Sequence, residues 1–163
     1  MPGSDKPPGS PTYPPAVDSG IRSQRRSGPF RVLVADDYES VREGVCAVLE
    51  SRSDIEVCAQ AKNGEEAVEK ALRFKPDMII LDISMPGFGG VEAARQIRVL
   101  SPEAPILFFT MHNVPQLFAI AKSVGVQGFV TKDQMATTLL EAVDALRRNE
   151  TYFSLGTQTQ RTP

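Results

Sequence analysis

Five apolar runs of strand length recur along this chain, each followed by a helical pattern, and that alternation limits what it can fold into. The runs are Arg31-Val32-Leu33-Val34-Ala35, Ile55-Glu56-Val57-Cys58-Ala59, Met78-Ile79-Ile80-Leu81, Ile106-Leu107-Phe108-Phe109 and Gly128-Phe129-Val130-Thr131. A run as continuously apolar as Met78–Leu81 suits a central parallel strand covered on both faces. Strands alternating with helices imply an α/β fold, and right-handed crossovers make it a doubly wound, five-stranded parallel sheet.

The helical stretches carry their own signals. Ser40 and Glu43 have capping-box spacing ahead of Val41, Val45, Val48 and Leu49. Asn63 and Glu66 predict a second cap, with Ala67, Val68, Ala71 and Leu72 on the apolar face and Pro76 as the stop. A third helix is expected over residues 91–100 and a fourth around 115–123. Asp133 is expected to cap a last helix running to about Asn149, with Met135, Leu139, Val143 and Leu146 facing inward. Residues 1–28, rich in Pro, Gly and Ser, bury too little to offset the entropy of ordering and read as a disordered leader. That leaves a folded domain over residues 29–150 and a short polar tail over 151–163.

A net charge of −2 gives no global field to recruit nucleic acid or an anionic membrane. Arg22, Arg25 and Arg26 read as solvated tail charge. Cys46 and Cys58 lack metal-ligand spacing and read as small buried thiols in a reducing compartment. With no membrane-length apolar span and no secretory signal, cytoplasmic residence is expected.

In such a sheet, ligands bind beyond the carboxyl ends of the strands. The residues there are Asp36 and Asp37, Asp82, Thr110 and Lys132. Singly, each has a bland reading: a turn, a helix cap, a β-former, a solvated charge. Together they converge on one edge. Two carboxylates ~5 Å apart repel by roughly 3 kcal/mol at an effective dielectric near 20. A hard divalent cation such as Mg²⁺ relieves that, and no His or Cys in the cluster points to zinc or copper. Lys132 and Thr110 then remain as donors for an anion. This is a phosphoryl-transfer set in which a carboxylate can act as nucleophile.

The blocks RVLVADD, NGEEA, PDMIILDISMPG, ILFFTMH and GFVTKD, in that order, resemble the receiver (CheY-like) domain of two-component response regulators. The resemblance spans residue 30 to about 150, and TMH with the Lys132-Asp133 pair is similar to the NarL-type subfamily. It implies a flavodoxin-like (βα)5 fold with strand order 2-1-3-4-5. It further implies that Asp82 is the phosphoacceptor. Asp37 and Asp82 would ligate Mg²⁺ with the backbone carbonyl of Ser84, Asp36 acting mainly through a bound water. Lys132 would pair with the phosphoryl oxygens, Thr110 would move to hydrogen-bond one of them, and Phe129 would turn inward as the switch aromatic, where the family often has Tyr. Such a protein is not a classical enzyme, but catalyses its own phosphorylation and slow autodephosphorylation.

The implied partners are a sensor histidine kinase upstream and a downstream protein or output domain, read through the face of the fourth helix, fifth strand and last helix. A homodimer on phosphorylation is a further expectation; neither a membrane nor direct nucleic-acid binding by this chain is expected. Gly89 stands where the family usually has Asp, so the third helix is expected to start more loosely, by ~1 kcal/mol. His112, two positions past Thr110, is either a residue lining the site mouth or a solvated bystander. NarL-type regulators continue into a helix-turn-helix domain, so this sequence is expected to be a stand-alone receiver or the receiver piece of a DNA-binding regulator. Two rivals remain. A haloacid-dehalogenase-type hydrolase needs an acid/base Asp where Ser84 stands, and a phosphate-independent pseudo-receiver usually lacks an acid or the Lys.

Overall fold

The computed structural model describes residues 27–111, 115–155 and 158–163. In chain order the elements are β1 (Phe30–Ala35), α1 (Glu39–Glu50), β2 (Ile55–Ala61), α2 (Gly64–Phe74), β3 (Met78–Leu81) and α3 (Gly90–Leu100). There follow β4 (Ile106–Thr110), α4 (Pro115–Val124), β5 (Gly128–Thr131), a 3₁₀ turn (Lys132–Gln134), α5 (Met135–Arg147), β6 (Thr151–Leu155) and β7 (Gln158–Thr162). Most of the expected leader, with Arg22, Arg25 and Arg26, lies outside the described residues, as does His112.

The sheet order is β2-β1-β3-β4-β5-β6-β7. Its first five strands are parallel and follow the expected 2-1-3-4-5 order. Strand alternation sends successive side chains to opposite faces, and each face has its own core. Leu33, Ile79, Leu81, Ile106, Phe108 and Phe129 pack against α2, α3 and α4. Val32, Val34, Ile80, Leu107, Phe109 and Val130 pack against α1 and α5. Cys46 is buried and Cys58 half-buried, and both thiols are free.

The segment from Thr151 corrects the expectation of a polar tail and of a sheet that stops at five strands. Here β6 pairs parallel to β5, and β7 folds back antiparallel on β6. The reason is period-two burial: Tyr152 enters the core under α1 and α5, and Phe153 enters the opposite one.

Two expected caps also need correction. Helix α1 begins at Glu39 with Tyr38 as its N-cap, so Ser40 lies inside the first turn. The cause is Asp36, whose Oδ1 accepts the Tyr38 N–H at 2.9 Å and turns the chain early. Asp133 falls within the 3₁₀ turn, and α5 starts two residues later behind Gln134, without a side-chain cap. The Asn63 cap is as expected, its side chain accepting the Glu66 N–H at 2.8 Å. Gly89 caps α3 with extended backbone and no side-chain bond. Because glycine is itself an acceptable N-cap, the cost relative to Asp is a few tenths of a kcal/mol, below the ~1 expected.

Candidate functional site

The backbone ladder continues past the strand ends and sets the acidic residues in place. Asp36 N–H donates to the Ala61 carbonyl at 3.0 Å, and Asp82 N–H donates to the Ala35 carbonyl at 2.9 Å. Each carboxylate therefore starts from a fixed peptide plane at the carboxyl edge of the sheet. One oxygen each from Asp36, Asp37 and Asp82 lies within 4.8 Å of the others. Asp36 and Asp82 are buried, at 1% and 2% exposure.

Lys132, just past β5, reaches into this cluster with a side chain only 6% exposed. Its Nζ lies 2.5 Å from Asp36 Oδ2 and 3.3 Å from Asp82 Oδ2. Asp82 Oδ1 accepts the Ser84 N–H at 3.1 Å, an Asx-type turn that bends the loop away from β3. Burial pushes the Asp82 carboxyl above its ordinary range; the Ser84 N–H and Lys132 pull it down, and Asp36 adds to the rise.

One ammonium does not balance three carboxylates. Asp37 Oδ1 is buried with no hydrogen-bond partner, and a buried acceptor left alone costs about 1–3 kcal/mol. Hard oxygen donors at this spacing, one of them without a partner, fit a hard divalent cation. The residues present thus suit the Mg²⁺ that the motif implies.

Thr110 ends β4 fully buried, in register with Thr131 on β5. Phe129 is also fully buried, its ring turned into the core. The structure thus brings Asp36, Asp37, Asp82 and Lys132 into one cluster, with Thr110 on the neighbouring strand end. Ser84 is exposed beside it and Phe129 lies two residues back along β5.

Two contributors were not legible in the sequence. Arg42 on α1 donates from Nη1 to the Asp36 carbonyl at 2.8 Å, fixing the loop that carries the acidic pair. It reads as an ordinary helix charge, and no local signal marks it. Gly90 opens α3 against β3, where a Cβ would collide with the Asp82 carbonyl oxygen. A glycine is required there by close approach of two backbones.

Comparison with known proteins accords with this geometry. Residues 32–144 match the family described as the response regulator receiver domain. The chain is 37% identical over 114 residues to the transcriptional regulatory protein LnrK of Bacillus subtilis, covering 70% of this chain and 52% of that protein. It is 34% identical over 125 residues to the response regulator protein VraR of Staphylococcus saprophyticus, covering 77% and 60%. The chain thus spans little more than half the length of these curated relatives. A two-component response regulator of the LuxR family from Aurantimonas superposes with a TM-score of 0.74 at 33% identity, covering 78% of this chain and 91% of that one. The response regulator domain of Thermotoga maritima CheB superposes at 0.68 with 30% identity, covering 74% and 95%. Among the described residues no helix is long and apolar enough to cross a membrane. Fold, site and relatives agree, and this chain belongs to the response regulator receiver family of two-component signal transduction.

Proposed function

We propose that Asp82 accepts a phosphoryl group from the phosphohistidine of a sensor kinase, and that the resulting acyl phosphate resets the face of α4, β5 and α5. The observation that carries this reading is the cluster of buried Asp36 and Asp82 with half-buried Asp37, Lys132 bridging Asp36 and Asp82. Asp36, Asp37 and Asp82, with the Ser84 carbonyl, would hold Mg²⁺, which when bound offsets carboxylate charge and charge on the incoming phosphoryl oxygens.

The chain's own groups do the rest. An Asp82 carboxylate oxygen attacks phosphorus in line as the phosphorus–nitrogen bond to the donor imidazole breaks, and the imidazole leaves with the bond's electron pair and takes up a proton. The Ser84 N–H orients the carboxylate from its other oxygen. Lys132, held within reach of Asp82, turns its ammonium to the phosphoryl oxygens, and Thr110 closes as a hydroxyl donor. The inward Phe129 fills the space behind it. Slow hydrolysis of the acyl phosphate returns the site to its starting state. Ser84 in place of an acid/base Asp supports a switch over a phosphate-ester hydrolase.

LnrK is named a transcriptional regulatory protein, and both LnrK and VraR exceed this chain in length. The name of LnrK supports transcriptional control as the output, with a DNA-binding unit beyond the receiver fold carrying it. Dimerisation on phosphorylation belongs to the same reading. Acetyl phosphate with Mg²⁺ tests the core of it: wild-type protein should label once per chain and Asp82→Asn should not. Full labelling of the variant overturns the assignment.

A further inference from the structure

The hairpin of β6 and β7 sits where the face of α4, β5 and α5 would otherwise end. Phe129 and Phe153 are register partners on β5 and β6, both buried on the same side of the sheet. Phe118 of α4 stands edge-on to both rings, at 6.5 Å and 80° to Phe129 and at 5.2 Å and 81° to Phe153. Lys122 Nζ lies 4.1 Å from the Phe153 ring centre, over the outer side of the group.

Polar contacts hold the hairpin down beyond the rings. Tyr152 O–H donates to Glu141 Oε2 at 3.2 Å, and Arg161 Nη2 donates to the same oxygen at 2.9 Å. Ser154 Oγ donates to Gln134 Oε1 at 2.9 Å, tying β6 to the turn that follows Lys132. The seat is narrow nonetheless. Strands β5 and β6 share only two register pairs, Gly128 with Tyr152 and Phe129 with Phe153. Thr159, Gln160, Arg161 and Thr162 on the outer strand are exposed. Buried Tyr152, Phe153 and Ser154 anchor the inner strand, while the exposed outer strand with its solvated backbone bonds gives the unit a route to local opening.

We propose that docking of this hairpin and phosphoryl acceptance at Asp82 are energetically coupled, with Phe153 as the positioning residue that holds Phe129 inward. The inference rests on the receiver reading above. On an uncovered edge strand an aromatic at position 129 can leave the core by swinging past the edge. Here β6 occupies that edge, so Phe129 leaves only if the Phe118–Phe153 pair opens or the hairpin lifts. The converse also holds: the seat for Phe153 exists only while Phe129 is inward. An acyl phosphate that draws Thr110 in favours inward Phe129, and so favours the docked hairpin. Because linkage between binding equilibria is reciprocal, the docked hairpin favours the acyl phosphate by the same factor.

Amide hydrogen exchange on the full chain, with Mg²⁺ alone and with Mg²⁺ plus beryllofluoride as acyl-phosphate mimic, reads this coupling. Beryllofluoride should slow exchange at Tyr152 and Phe153 by about fivefold or more, the low end of usual site-to-site coupling. Phe153→Ala should weaken beryllofluoride binding by the same factor, and Phe153→Leu, which keeps most of the volume, should recover most of it. Wild-type protein that binds beryllofluoride with unchanged exchange over residues 151–155 overturns the inference. Wild-type protein that binds none overturns the reading of Asp82 instead. The exchange measurement needs no variant, so it decides the matter even where Phe153→Ala fails to fold.

Discussion

The ammonium of Lys132 is closer to Asp36 than to Asp82, the proposed phosphoacceptor, at 2.5 Å against 3.3 Å. It thus acts first as the counter-charge that lets three carboxylates share a buried edge. Removing one partner of a buried ion pair costs about 3 kcal/mol or more, because it strands the other charge. Lys132→Ala should lower the urea midpoint accordingly, and Mg²⁺ should restore much of the loss. A variant as stable as wild type without Mg²⁺ would contradict this role.

The same repulsion predicts the opposite sign for Asp82→Asn. Carboxylates within 4.8 Å of one another repel by roughly 3 kcal/mol or more at an effective dielectric of 20, and losing the contact to Lys132 offsets part of the gain. The metal-free variant should melt about 3 °C above wild type, for a net gain of roughly 1 kcal/mol. Phosphoryl labelling should vanish in the same protein. Calorimetry in chelator checks the first half, and a lower melting temperature would refute it.

Gly90 supports Asp82 from behind, so Gly90→Ala should damage both fold and chemistry. The added methyl meets the Asp82 carbonyl, a backbone atom that cannot rotate away. Overpacking of this kind typically costs about 1–3 kcal/mol. The urea midpoint should fall, and the labelling rate with acetyl phosphate should fall with it. A fall in stability with labelling unchanged would separate α3 packing from Asp82 placement.

Asp54 gives the domain an acid-sensitive tie at the opposite edge of the sheet. Its carboxylate accepts from Arg52 Nε at 3.0 Å and Nη2 at 2.8 Å, and from Arg147 Nη1 at 2.6 Å. Those bonds hold its carboxyl well below the ordinary value of 3.8. A depressed folded-state value means the stabilisation is present above the unfolded value and is lost as pH falls through the folded one. The difference in urea midpoint between wild type and Asp54→Asn should be full at about pH 6 and shrink below about pH 4. High salt should shrink it too, since the side chain is 44% exposed.

The strand ends were legible because backbone hydrogen bonding fixes where each strand stops, and Asp36, Asp82, Thr110 and Lys132 sit at those stops. Caps were less so. Ser40 fits the capping pattern, but Asp36 captured the Tyr38 N–H first, a competition between two local rules. Tyr152 and Phe153 are too few to signal a strand among polar neighbours, and only the open edge of β5 makes them one. Propensity yields there to tertiary context. Arg42 and Gly90 act through backbone atoms of distant residues, so nothing near them in sequence reveals it.

A parallel sheet that closes on an antiparallel hairpin presents other molecules with a different rim. Bare, the β5 edge would offer unpaired peptide groups flanked by Phe129, Val130 and the Phe118 ring, a template for aberrant self-assembly. With the hairpin in place the rim carries Thr159, Gln160, Arg161 and Thr162, polar and charged side chains that make a poor template. A chain cut at Asn149 should therefore be prone to clumping during expression, for a reason that has nothing to do with signalling.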